Sequence, residues 1–231
     1  MIKKVLIIFI PIAIGTIILL SGFNMHTKQD TPVKYVALGD SYTIGTGANE
    51  NEAWPVLLTK HLNDAGIKTE LVANPSKNGF STQNLIDMEL PVFDKSGATF
   101  VTLLIGVNDW VREVNATTYT KNLIFILDHV QKVLPNKNNI LLVTIPDFGV
   151  TPQGAYFAND RDVSKGITEF NNIIKAEAKK RGLSIVDIFE ISKQMKDNSE
   201  LTAKDGLHPS AKEYAVWETL IFPEAKKVLG K

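Results

Sequence analysis

Four short segments hold the side chains with which this 231-residue chain could do chemistry. Gly39-Asp40-Ser41-Tyr42 follows an apolar run and puts a hydroxyl at the start of a new segment. A serine on a tight strand-to-helix turn is exposed near N–H groups that favour negative charge, which suits a nucleophile. Asp205-Gly206-Leu207-His208-Pro209 places a carboxylate three residues before an imidazole, with a glycine between them to permit a sharp bend. Folded back onto Nδ1, Asp205 would fix the tautomer and leave Nε2 of His208 as a base, while Pro209 sets the start of a helix. Gly106-Val107-Asn108-Asp109-Trp110 offers an amide donor after the most apolar run, and Asn74–Thr82 contains Gly79, where a backbone N–H can approach a ligand unobstructed. Each segment alone also has a plain structural reading: Asp40 and Ser41 as turn caps, Gly79 as a turn glycine, Asn108 as a left-handed turn residue, His208 as a satisfied histidine.

Several other chemistries are excluded. There is no cysteine, hence no disulfide, thiolate metal site or cysteine nucleophile. Twenty-five basic residues balance 25 acidic ones, which argues against a general grip on nucleic acid, and no nucleic-acid partner is expected. Gly45-Thr46-Gly47 lacks the third glycine of a dinucleotide fingerprint, since Glu50 stands in its place and would repel phosphates. The Gly-x-Ser-x-Gly elbow fails because Thr43 follows Ser41 by two. His26, His61 and His129 show no metal-ligand spacing, and His61, one turn after Leu57 and Leu58, reads as a partly buried histidine.

The elements that must position these segments are legible as periodicity. Apolar runs of strand length stand at Lys34–Leu38, Glu70–Ala73, Phe100–Ile105, Asn139–Ile145 and Leu183–Ile188. Helical patterns lie between and after them: Trp54–Ala65, Thr82–Leu90 ending before Pro91, Thr118–Leu134, Asp162–Arg181 and Ser210–Leu229. Continuous apolar strands alternating with helices predict an α/β fold, a three-layer α/β/α sandwich on a mostly parallel five-stranded sheet. In such sheets ligands meet the carboxyl ends of the strands, where these segments leave.

The N-terminus reads differently. Lys3 and Lys4 precede sixteen uncharged residues, the pattern of an export signal or a retained membrane anchor over residues 1–23. No small-x-small cleavage site follows, and Phe23 stands where a lipoprotein box needs cysteine; a retained anchor is slightly preferred. Residues 24–32 form a polar tether and 33–231 one domain. Setting aside residues 1–30, with Lys3, Lys4 and Lys28 against Asp30, leaves the body two charges net acidic. The expectation is a bacterial exported protein, anchored at the outer face of the cytoplasmic membrane or secreted, touching membrane only through residues 5–23, and monomeric.

The four segments, in this order and at strand exits, resemble the SGNH hydrolase family, also called the GDSL esterase/lipase family, across residues 34–229. Tyr42 departs from the leucine of the motif name. The resemblance implies an SGNH-like sandwich of flavodoxin-like topology and a carboxylic ester hydrolase with Ser41 as nucleophile, His208 as base and Asp205 as its orienting acid. It implies an oxyanion hole of the Ser41 and Gly79 N–H groups and the Asn108 amide, and no metal or organic cofactor. Trp110, Phe148 and Tyr156 are candidate substrate-lining residues; the last two lie with Phe157 in Pro146–Asp160, an acyl-pocket wall or a loop anchored by aromatics. The expected substrate is a small-molecule, lipid, lysophospholipid or cell-surface acyl ester, since outward orientation argues against acyl-CoA. The alternatives are a deacetylase of O-acetylated cell-wall or plant polysaccharide, and a non-catalytic exported module binding a glycan or partner.

Overall fold

The computed structural model describes residues 31–230; the expected leader or anchor at 1–23, and the tether as far as residue 30, lie outside the described residues. The body begins with β1 (Val33–Gly39), α1 (Ser41–Ile44), α2 (Trp54–Asp64) and β2 (Thr69–Ala73). A helical run follows, with α3 (Thr82–Asn84) and α4 (Leu90–Ser96) joined by a π-helical turn over Leu85–Glu89. Next come β3 (Phe100–Leu104), α5 (Val107–Val111), α6 (Ala116–Val133) and β4 (Ile140–Val143). The chain ends with α7 (Gly154–Ala158), α8 (Val163–Arg181), β5 (Ser184–Val186), α9 (Phe189–Ser192) and α10 (Ala211–Val228).

The five strands are all parallel, in the order β2-β1-β3-β4-β5, with helices packed against the sheet. This is the expected α/β sandwich. Its centre is dry: every side chain of β3 and β4 is buried, as continuous apolar strands require when both faces are covered. Helix α6 turns Tyr119, Leu123, Ile126, Leu127 and Val130 inward, and α8 turns Ile167, Phe170, Ile174 and Ala178 inward, at the 3.6-residue spacing of one face.

The helix predicted to stop before Pro91 continues through it to Ser96. Proline inside a regular helix clashes with the carbonyl four residues back and donates no hydrogen bond. Here Pro91 lies in the first turn after the wider π-helical stretch, which opens the ladder just where the proline would break it.

Strand order reverses between β1 and β3, so the chain leaves these neighbours toward opposite sides and a crevice opens at their carboxyl ends. Gly39 closes β1 against β3: a side chain there would overlap Thr43 and the Leu104 carbonyl. Behind the turn lies an unusual concentration of buried acid. Asp40 caps α1 by accepting the Tyr42 N–H at 3.0 Å, and Glu89, on the π-helical turn, accepts the Gly39 N–H at 3.0 Å. Both side chains are fully buried, and among the described residues Oδ2 of Asp40 and Oε1 of Glu89 have no hydrogen-bond partner. Burial, aided by repulsion from Asp109 and opposed by the Tyr42 N–H, pushes the Asp40 carboxyl up to about 8; burial also raises Glu89 well above the carboxylate range.

Between the ordinary value of 3.8 and about 8, the folded protein keeps a proton on Asp40 that the unfolded chain releases, so stability falls as pH rises through that window. Asn at position 40 retains the cap and cannot ionise. The melting temperature of Asp40→Asn is expected to rise relative to the wild type by several degrees between pH 5 and pH 9; parallel melting curves across that range would show that Asp40 is not held protonated.

Candidate active site

Ser41 opens α1 at the carboxyl end of β1, where the Asp40 cap holds the first turn. The serine is mostly buried, about 5% exposed, so a reacting carbonyl must come to it in a cleft. Tyr42, where the motif name has leucine, also faces that cleft: its ring meets the His208 imidazole edge-on at 5.8 Å and Trp217 at 5.9 Å. Its backbone carbonyl accepts the Trp54 indole N–H at 3.0 Å, which ties the turn to α2. The substitution therefore gives the histidine an aromatic backing as well as filling space behind the turn.

His208 comes to the same cleft from the other end of the chain. Residues 201–203 and 208–210 run against each other, with a Thr202–Pro209 bridge and hydrogen bonds from the Ala203 N–H to His208 O and from the Ser210 N–H to Leu201 O. Gly206, at φ 72°, makes the bend that returns the chain. Within it, Asp205 Oδ1 accepts the Leu207 and His208 N–H groups at 2.9 and 3.0 Å, and Oδ2 meets His208 Nδ1 at 2.7 Å. Burial would raise the Asp205 carboxyl, but those two N–H bonds and the imidazole outweigh it and hold the group below its ordinary value. Asp205 therefore stays ionised and engages Nδ1, so Nε2 is the ring nitrogen it leaves free. Ser210, one residue beyond Pro209, is the cap of α10.

Three side chains of α5 and the residue after it hold the loop that carries Gly79. Asn108 Nδ2 donates to the Phe80 carbonyl at 3.0 Å, which leaves its second amide hydrogen for the cleft it lines. Asp109, buried, accepts the Thr82 N–H at 2.8 Å and the Thr82 hydroxyl, which in turn accepts Asn122 Nδ2 at 3.0 Å. Burial raises the Asp109 carboxyl despite those donors and nearby Arg112. Arg112 donates to the Gly79 carbonyl at 2.7 Å. Asp109, Thr82 and Glu89 are positioning residues that sequence reasoning misses. An acid next to the asparagine at the most buried strand's exit is the available signal for Asp109; Thr82 and Glu89 have none.

The cleft is small, about 80 Å³, and is lined by Ser41, Tyr42, Asn108 and His208 together with Val107, Val111, Phe148, Phe157 and Leu207. Phe148 stands where expected. Trp110 and Tyr156 do not line it. The Trp110 indole is buried, capped by the Arg161 guanidinium 4.0 Å from its ring and met edge-on by Phe148. It sits against Gly166 of α8, so it is packed away behind the wall. Tyr156 is 81% exposed on α7, and its neighbour Phe157 points inward instead, because successive helical residues face different directions. Arg161 fastens α7 to α5 by donating to the Ala158, Trp110 and Val111 carbonyls.

Ser41, His208 and Asn108 thus meet in one cleft, with Asp205 behind the histidine; Gly79 is one residue from the carbonyl that Asn108 grips. The Ser41 hydroxyl makes no hydrogen bond to His208 among the described residues, a contact that in such sites commonly tightens only with substrate bound. His61 and His129 do not line this cleft and are paired instead with Glu218 and Asp94, at 2.8 and 2.7 Å. No group of three or more histidine, aspartate or glutamate side chains among the described residues is arranged to hold a metal ion.

Comparison with known proteins places the fold and the family. A curated relative, the uncharacterized protein YpmR of Bacillus subtilis (strain 168), is 21% identical over 221 residues, covering 87% of this chain and 85% of that protein. Among solved structures, the psychrotrophic esterase EstA from Pseudoalteromonas sp. shares the fold with a TM-score of 0.68 at 19% identity, over 86% of this chain and 99% of that one. An acetyl xylan esterase from Geobacillus stearothermophilus superposes with a TM-score of 0.67 at 17% identity, over 84% and 94%. The sequence profile of the GDSL-like Lipase/Acylhydrolase family matches residues 37–216, a span that opens just before Ser41 and closes just after His208, and the chain belongs to that family.

Proposed function

We propose that this protein is a carboxylic ester hydrolase working through an acyl-enzyme on Ser41. The observation that carries the reading is the shared cleft: Ser41 and His208 line it together, and Asp205, kept ionised, holds His208 by Nδ1. In the first half-reaction the Ser41 hydroxyl attacks the ester carbonyl while His208 Nε2 takes its proton; His208 then gives that proton to the departing alkoxide. In the second, water attacks the acyl-enzyme, again losing its proton to Nε2, and Ser41 is regenerated as the acid leaves. The Ser41 and Gly79 N–H groups and the free hydrogen of Asn108 Nδ2 stabilise the tetrahedral oxyanion, each donor worth about 2.7–4 kcal/mol.

The cleft also speaks for the acyl group. Sites that enclose whole ligands run to about 300–1,000 Å³. A cleft of about 80 Å³, walled by Val107, Val111, Phe148, Phe157 and Leu207, encloses a short acyl group and leaves the alcohol outside. This favours acetyl and similarly short esters, including those of surface glycans, over long-chain lipids. An export signal or anchor at residues 1–23 would bring the body to such substrates outside the cell.

Wild-type protein is expected to hydrolyse p-nitrophenyl acetate and to take up an organophosphonate on Ser41, as the EstA structure inhibited by monoethylphosphonate suggests. Ser41→Ala and His208→Ala should fall to background, and Asp205→Ala should lose about 10³–10⁴-fold in kcat. Identical rates for wild type and all three variants would leave a binding module as the reading. In a series from acetyl to decanoyl esters, the wild type should favour the shortest, and Phe157→Ala should move the optimum to longer chains. A decanoyl optimum in the wild type, or no shift in Phe157→Ala, would remove Phe157 as the wall that limits chain length.

A further inference from the structure

We propose that Arg112 is a positioning residue for the oxyanion hole: it anchors Gly79 by its carbonyl, so that the residue keeps its N–H turned to the reacting carbonyl. This role rests on the esterase reading and extends it to a residue outside the four motif segments.

Residues 74–81 lie in neither helix nor strand, and Gly79, at φ 79°, is the residue there best able to change conformation. With no Cβ, a glycine rotates about its own φ and ψ with little steric resistance, and with its carbonyl untethered such a rotation would swing the Gly79 N–H out of line with the reacting carbonyl. Three groups oppose that motion from α5 and its C-terminal residue. Asn108 holds the Phe80 carbonyl and Asp109 holds Thr82, so the far end of the loop is fixed from inside the protein. Arg112, one turn on from Asn108, reaches the near end: Nη2 donates to the Gly79 carbonyl at 2.7 Å and Nη1 donates to Asn84 Oδ1 at 3.3 Å. Asn84 Oδ1 in turn accepts the Ser81 N–H at 3.1 Å, so the one guanidinium spans both ends of the loop.

Arg112 is exposed, and among the described residues it makes no salt bridge, whereas Arg181 is paired with both Glu177 and Asp128. Its one short contact is to the glycine carbonyl. A planar guanidinium suits this task because two parallel donors fix direction as well as distance, which the single point charge of lysine does less well. It also sets a permanent positive charge beside the loop that faces the developing oxyanion.

The test is steady-state kinetics of Arg112→Ala, Arg112→Gln and Arg112→Lys on p-nitrophenyl acetate, with phosphonate uptake by Ser41 as a second measure. Misplacing one oxyanion donor should lower kcat about ten- to hundredfold while leaving KM within about twofold, since the loss falls on the transition state. The phosphonylation rate should fall in parallel, and Arg112→Lys should recover part of both. Because the side chain is exposed, melting temperatures should stay close to the wild type. Unchanged kcat in Arg112→Ala, or a change confined to KM, would overturn the role of Arg112 while leaving the esterase reading intact. A wild type that neither turns over the ester nor takes up the phosphonate would instead overturn the reading itself, and the role of Arg112 with it.

Discussion

Where a parallel sheet reverses its strand order, two neighbouring strands send their chains to opposite sides, and the gap between them cannot be filled by either connection. In this protein the gap lies between β1 and β3, and it decides where the chemistry can be. Ser41 leaves β1 on one side of it and Asn108 leaves β3 on the other, so a serine hydroxyl and an amide 67 residues apart in the chain share one cleft without either segment having to travel. His208 and Asp205 are the pieces the sheet does not deliver. They are brought in by a self-contained bend whose carboxylate satisfies two of its own backbone N–H groups before it meets the imidazole. That local closure matters: a bend held by its own hydrogen bonds keeps His208 oriented even though Asp205 is 43% exposed.

Electrostatically the site is divided. In front, Asp205 is held ionised by the N–H groups and the imidazole around it, the state in which it can favour a positively charged histidine during reaction. Behind the nucleophile, Asp40, Glu89 and Asp109 are held toward their neutral forms by burial. Such groups are costly to bury unless they are protonated and bonded, and here each is used by the backbone: Asp40 caps α1, Glu89 takes the last N–H of β1, and Asp109 pins Thr82. The interior thus spends buried acid on fixing the turn that presents Ser41 and the loop that presents Gly79. That is consistent with a site that must resist movement by fractions of an ångström.

Much of this is readable from residue order. The five strands and the long helices announce themselves by period, because a residue buried on both faces of a parallel sheet has no polar alternative and a helix covering that sheet must repeat its apolar face every 3.6 residues. Pro91 misleads, since the rule that proline ends a helix assumes a regular ladder and a π-helical turn removes the clash. Trp110 and Tyr156 mislead for a related reason: position next to a motif says nothing about which way a side chain turns. Trp110 is drawn inward by Arg161 and Phe148, while on α7 it is Phe157, one residue along, that faces the cleft.

Residue types, spacing and the order of four segments are enough to name the nucleophile, base and acid candidates: a serine after a strand, or an acid three residues before a histidine with a glycine between, is ambiguous alone and gains its meaning from the set. The contents of the cleft belong to a different order of information. That Tyr42 backs the imidazole, that apolar side chains from three segments wall the cleft beside Ser41, and that Arg112 reaches the Gly79 carbonyl all depend on distances between parts of the chain that are remote in sequence. A chain encodes such distances only through the packing of the whole, so no local pattern could have shown them.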